Sequence, residues 1–196
     1  MYESVFKRAL GAFIATLACV LLLPLLFVIA LWIKLDSKGP VLFRQTRLGK
    51  DGAPFTILKF RTMRLDAPHD VATNDLKRSA DYITPSGRIL RSTSLDELPQ
   101  LLNIIKGDMA FVGFRPCIPQ ETELDAARQR EGAYSVRPGI TGLAQIRGRD
   151  ELGPEEKARL DGVYARHISF DYDLRILTKT FLAVFYKEGY KEGGEE

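Results

Sequence analysis

Residues 9–33 form one uncharged, mostly apolar run with a proline, Pro24, near its middle. Its length of about 25 residues is enough to cross a hydrocarbon core. The run is longer than a usual signal-peptide core, and no small-x-small cleavage site follows Ile33, so it is expected to stay in the mature chain. Trp32 stands where an interfacial aromatic belongs. Two features oppose a plain span. Pro24 removes one backbone donor and clashes with the carbonyl four residues earlier. Positive charge also flanks both ends, with Lys7 and Arg8 before the run, Lys34 and Lys38 after it, and Arg44 and Arg47 further on. Cations next to an apolar segment favour the cytoplasmic side, so both ends are pulled the same way. A helix that enters, bends at Pro24 and returns satisfies both pulls. A kinked single span is the other reading, since proline is common in true spans.

The rest of the 196 residues suffices for one domain with a sizeable core. The expected division is a membrane re-entrant helix over residues 1–38 and a cytoplasmic domain with interfacial helices over residues 39–196. The formal net charge of +3 is mild and alone argues neither for nor against nucleic acid. Cys19 and Cys117 cannot form a disulfide framework and read as reduced, which suits a domain facing a cytoplasm. His69 and His167 belong to no cluster with metal-ligand spacing, so a zinc site is not expected.

The fold expected is mixed α/β and helix-rich, with a small β-hairpin. Residues 41–45 and 55–61 read as strands joined through Lys50-Asp51-Gly52. Alternation puts Lys59 and Arg61 on one face with Phe55 and Ile57. Residues 65–88 read as loop with room for one short helix. Leu98, Leu101, Leu102 and Ile105 have helical spacing, and Gly107 ends that helix. Its start has two alternatives: a capping box from Ser94 to Glu97, or Pro99 at the first helical position. Residues 120–130 and 155–164 and Phe170–Tyr186 read as further helices, and residues 137–149 as glycine-rich and irregular. The last helix either packs in the core or lies in a membrane interface with its lysines at headgroups.

Asp96 and Glu97 are adjacent acids at a helix start. Acids there complement the helix dipole, and that alone accounts for them. A carboxylate can also attack phosphorus to form an acyl phosphate, while its neighbour holds a hard cation such as Mg²⁺. The second scheme needs cations nearby. Lys59, Arg61, Arg88, Arg91 and Arg115 precede or follow the pair, and Arg137, Arg147 and Arg149 bracket the glycine-rich stretch. Arginine grips phosphate in a bidentate way, and glycines let backbone approach it closely.

Four segments carry a resemblance: Lys59-Phe60-Arg61-Thr62-Met63; the run from Arg91 through Ser94-Leu95-Asp96-Glu97-Leu98-Pro99-Gln100; Leu102-Asn103-Ile104-Ile105-Lys106-Gly107-Asp108-Met109; and Arg137-Pro138-Gly139-Ile140-Thr141-Gly142-Leu143-Ala144-Gln145. The chain resembles the small monotopic phosphoglycosyl transferases of bacteria from Lys7 to about Thr180, with a weaker match that includes Asp173. The resemblance implies a transferase that moves a sugar-1-phosphate from a UDP-sugar to polyprenyl (undecaprenyl) phosphate and releases UMP. This is the first membrane step of glycoconjugate or exopolysaccharide assembly. Asp96 is then the nucleophile that carries the phospho-sugar, and Glu97 helps it hold Mg²⁺. Lys59, Arg61, Arg91, Arg115, Gln145, Arg149 and Asp173 are the implied substrate-binding residues. The implied anchor is a re-entrant helix broken at Pro24, without the added N-terminal spans of larger relatives. It would keep the catalytic domain on the cytoplasmic face of the inner membrane. An N-acetylated amino or deoxyamino hexose is the expected sugar, and no nucleic-acid partner is expected. No oligomeric state follows from the sequence.

Three positions depart from the family pattern. Leu23 replaces a serine before the membrane proline, Phe114 replaces proline in Gly113-Phe114-Arg115-Pro116, and Arg147 replaces asparagine before Gly148-Arg149. The competing readings are a Mg²⁺-dependent nucleotide-sugar hydrolase and a non-catalytic membrane scaffold.

Overall fold

The structure is a computed structural model that describes residues 2–68, 79–148 and 151–186. A short π-helical turn, Tyr2–Phe6, leads into the 30-residue helix α1, Lys7–Asp36. Pro24 lies inside α1. The helix buries a single stripe, in which Ala15, Ile29 and Ile33 are the deepest residues and Ala18, Cys19, Leu22 and Leu26 are half covered. Spacing of three and four along that stripe puts these side chains on one helical face. The opposite face is apolar and open: Phe13, Leu17, Leu21, Phe27, Val28 and Leu31 are at least half exposed. The helix is long and apolar enough to cross a membrane.

Strands β1, Leu42–Leu48, and β2, Pro54–Phe60, pair antiparallel from Leu42 opposite Phe60 to Leu48 opposite Pro54. The turn uses the expected residues, with Asp51 and Gly52 at positive φ. The ladder is longer at the turn end than the sequence suggested. Arg61 falls just past β2, so the expected shared face of Lys59 and Arg61 is broken. Helices α2, Ser79–Tyr82, and α3, Pro85–Ser92, follow. Thr84 caps α3 by accepting from Gly87 N–H at 3.0 Å, and Pro85 occupies the first position, where a missing N–H costs nothing. A 3₁₀ turn, Leu95–Glu97, precedes helix α4, Gln100–Lys106, which ends at Gly107 with φ 90°.

Neither expected start of α4 is what forms. Ser94 is left-handed at φ 56° and its side chain caps nothing. Pro99 sits between the 3₁₀ turn and α4 as the N-cap.

Most of the glycine-rich stretch that the sequence suggested to be irregular is a strand and a short helix, Gly139–Thr141 and Leu143–Arg147. Strand β3, Ala110–Val112, pairs in parallel with β4, Gly139–Thr141. A Cβ on Gly139 would lie 2.1 Å from Gly113 N, and one on Gly142 would lie 1.9 Å from Gly113 O. The glycines are therefore there to let two backbones meet. Helix α5, Thr122–Glu131, precedes β4, and α6, Leu143–Arg147, α7, Pro154–Arg166, and α8, Phe170–Tyr186, complete the described residues. Val112, Phe114, Tyr134, Val136, Leu143, Tyr164 and Ile176 form the core on this side. On the other side, Ala15 of α1 meets Ile57, Leu101, Ile104 and Met109, and Ile29 and Ile33 meet Phe60 and Leu90.

Both ends of α1 are tied to the same domain. At the start, Lys7 pairs with Asp173 at 2.8 Å, and Tyr2 donates to the same carboxylate at 2.7 Å. At the end, Asp36 accepts from Ser86 N–H and Oγ–H, and Arg61 donates to Ser37 O and Oγ.

Candidate active site

The left-handed Ser94 turns the chain sharply after α3, and the 3₁₀ turn then presents two consecutive acids. Left-handed backbone at a non-glycine residue is disfavoured and clusters at functional sites. Asp96 is buried at 8% exposure, and Glu97 is half-buried beside it. Cations reach them from three separate elements. Lys59 Nζ, from β2, donates to Glu97 Oε1 at 2.7 Å and lies 4.0 Å from Asp96 Oδ2. Arg115, from the loop after β3, donates from Nη2 to Glu97 Oε1 at 3.0 Å. Arg91, at the end of α3, donates from Nε to Thr62 Oγ1 at 2.9 Å, and its charge is felt at Asp96.

The two acids are pushed apart in acidity. Burial raises the Asp96 carboxyl above its ordinary range, against the opposing pull of Lys59 and with help from the Glu97 charge. Burial would raise Glu97 as well, but Arg115 and Lys59 together outweigh it and hold that carboxyl well below the usual range. Glu97 is thus an ionised anchor. Asp96 is the more basic oxygen, and so the better nucleophile once ionised.

The donor set fits Mg²⁺. That ion takes hard oxygens, commonly one or two carboxylates completed by phosphate and water. Asp96 and Glu97 supply two adjacent carboxylates, and no group of three or more metal-ligating side chains exists among the described residues.

Several expected site residues have other partners. The Arg61 guanidinium turns to Ser37 at the end of α1. Gln145, in α6, donates to Ile140 O of β4 at 3.2 Å. Asp173 accepts from Tyr2 and Tyr164 and pairs with Lys7. Arg137 donates to Gly107 O and pairs with Glu3. Arg149 lies outside the described residues. The structure thus gathers Lys59, Arg91 and Arg115 around Asp96 and Glu97, and gives Arg61, Gln145 and Asp173 other partners.

One cation at the site was not on the expected list. Arg47 donates from Nη1 to Pro116 O at 3.2 Å and from Nη2 to Gln45 Oε1 at 2.6 Å, and its charge is felt together with those of Arg115 and Glu97. Strand alternation held the signal: Gln45 and Arg47 share a face, and register places them opposite Ile57 and Phe55 on the face that also holds Lys59.

The sequence pattern of the family described as bacterial sugar transferase matches residues 2–187. The chain belongs to that family. The chain is 54% identical over 146 residues to the UDP-glucose:undecaprenyl-phosphate glucose-1-phosphate transferase of Caulobacter vibrioides, a match that covers 72% of the chain and 54% of that protein. It is 41% identical over 182 residues to the uncharacterized sugar transferase EpsL of Bacillus subtilis, covering 90% and 85%. It is 40% identical over 195 residues to the exopolysaccharide production protein PSS of Rhizobium leguminosarum bv. phaseoli, covering 92% and 96%. The chain therefore spans about half the length of the Caulobacter relative and nearly all of the Rhizobium one.

Proposed function

We propose that this chain transfers a hexose-1-phosphate from a UDP-sugar to a polyprenyl phosphate, with Asp96 as the covalent carrier. The observation that carries the reading is the buried Asp96 beside a Glu97 clamped by Lys59 and Arg115, in a domain docked along an open apolar helix. An Asp96 oxygen attacks the β-phosphorus, and the bond from that phosphorus to the bridging oxygen breaks, so UMP leaves with the electron pair. A lipid phosphate oxygen then attacks the same phosphorus, and the acyl–phosphate bond breaks to restore the carboxylate. Lys59, Arg115 and Arg91 offset the charge on the diphosphate. Asp96 and Glu97 would hold Mg²⁺, which supplies charge neutralisation at the phosphate oxygens when bound.

The names of the relatives favour glucose over the amino hexose expected from the sequence, and they favour a part in exopolysaccharide production. Purified protein given UDP-glucose and undecaprenyl phosphate should release UMP in step with a lipid-linked glucose, and excess chelator should stop both until Mg²⁺ is restored. Free glucose-1-phosphate without lipid product would instead make it a hydrolase. No UMP from a panel of UDP-sugars, N-acetylated ones included, would leave the scaffold reading.

The same proposal includes a re-entrant anchor. Docking of both ends of α1 on one domain supports it, because a span would carry Lys7 across the bilayer from Asp36. The exposed Phe170, Leu174, Leu177 and Phe181 of α8 support an interfacial seat for that helix. Single cysteines at position 2 and at position 38, in a Cys19→Ala, Cys117→Ala background, should label from the same side in sealed vesicles. Labelling from opposite sides would establish a span.

A further inference from the structure

Arg115 is half exposed where it reaches Glu97. Its neighbour in the loop is buried. Phe114 is 1% exposed, and Tyr134 meets its ring edge-on at 5.2 Å. The guanidinium of Arg128, from α5, lies over the same ring with its carbon 5.0 Å from the centroid. Arg128 is 2% exposed and donates from Nε and Nη2 to Asp161 Oδ2 of α7, at 3.0 and 2.8 Å. The loop backbone is tied on both sides: Gly139 N–H donates to Phe114 O at 2.8 Å, and Leu48 N–H donates to Cys117 O at 2.9 Å.

A buried ion pair is weak support for stability, because desolvation offsets its attraction and apolar residues of like size serve as well. An apolar pair could join α5 to α7 but could not hold a cation over an aromatic face. We propose that the Arg128–Asp161 pair is a positioning unit, which fixes Phe114 and through it the loop that presents Arg115 to Glu97. This rests on the transferase reading for its kinetic consequence but not for its structural one.

A double-mutant cycle tests it. Arg128→Lys, with Phe114→Leu as a second and milder variant, should lower kcat/KM for the UDP-sugar on the order of tenfold in the wild-type background. In an Arg115→Ala background the same changes should cost less than about twofold, since the residue they act through is gone. Equal losses in both backgrounds would overturn the proposal. Hydrogen exchange gives a readout that needs no turnover. The Leu48 and Gly139 amides should exchange faster in both variants while α4 amides keep their protection. Unchanged exchange at those two amides would also overturn it. Absence of UMP release by the wild type would defeat the transferase reading alone, and the exchange result would still decide this one.

Discussion

Asp96→Asn should abolish sugar-phosphate transfer, with a loss on the order of 10⁴-fold or more, because a neutral amide cannot form an acyl phosphate. Wild-type protein given UDP-sugar without lipid should gain the mass of one sugar phosphate on Asp96, and the variant should gain none. Residual transfer near the wild-type rate, or an adduct on another residue, would remove Asp96 from the role. Two pH effects follow from the raised Asp96 carboxyl. Attack requires the ionised form, so kcat/KM should fall with acid at a pH above the ordinary aspartate range. For stability the sign is opposite. A carboxyl whose folded pKa is raised opposes folding when ionised, and this opposition fades as pH falls through the folded value. At neutral pH the amide removes that opposition, so the inactive variant should melt no lower than wild type. Trading activity for stability in this way is usual at strained sites. A lower melting temperature for Asp96→Asn would show that the charge serves the fold.

Lys7→Met should destabilise the protein by about 3 kcal/mol, through the buried carboxylate it leaves behind. Lys7 and Asp173 side chains are 10% and 9% exposed, so water screens their pair little. Lys7 also donates to Val112 O at 2.8 Å and to the Tyr164 hydroxyl. Tyr2 and Tyr164 still donate to Asp173 in the variant, which keeps the loss at the lower end of the range for a broken buried pair. For a chain of this size the melting temperature should drop by roughly 6–12 °C in detergent. Adding Asp173→Asn should recover more than half of the loss, because no charge is then stranded. A double variant as unstable as the single one would mean that Lys7 acts through its stem packing. The pair also fastens the first turn of α1 to the first turn of α8, the two segments proposed to meet the membrane.

The sequence alone determined the long apolar helix, the turn of the hairpin, the span of α8 and the place of the acid pair just ahead of α4. Each rests on a short-range signal: an apolar run without charge, turn residues at a fixed place, helical spacing, or a dense motif around Asp96-Glu97. It did not determine which cations meet those acids. Lys59 and Arg61 are two residues apart, yet one bonds Glu97 and the other bonds Ser37, because the strand ends between them at Phe60. Spacing cannot show where a ladder stops. The β3–β4 pair was also hidden, since parallel pairing joins residues 110–112 to 139–141 across an intervening helix. Its glycines read as loop until their backbones are seen in contact. Arg47 and Arg115 lie 68 positions apart and come together only when β1 ties itself to Cys117 O. The shift of Asp96 and Glu97 in opposite directions is tertiary as well: adjacent carboxyls differ because burial outweighs the cations at one and Arg115 and Lys59 together outweigh burial at the other.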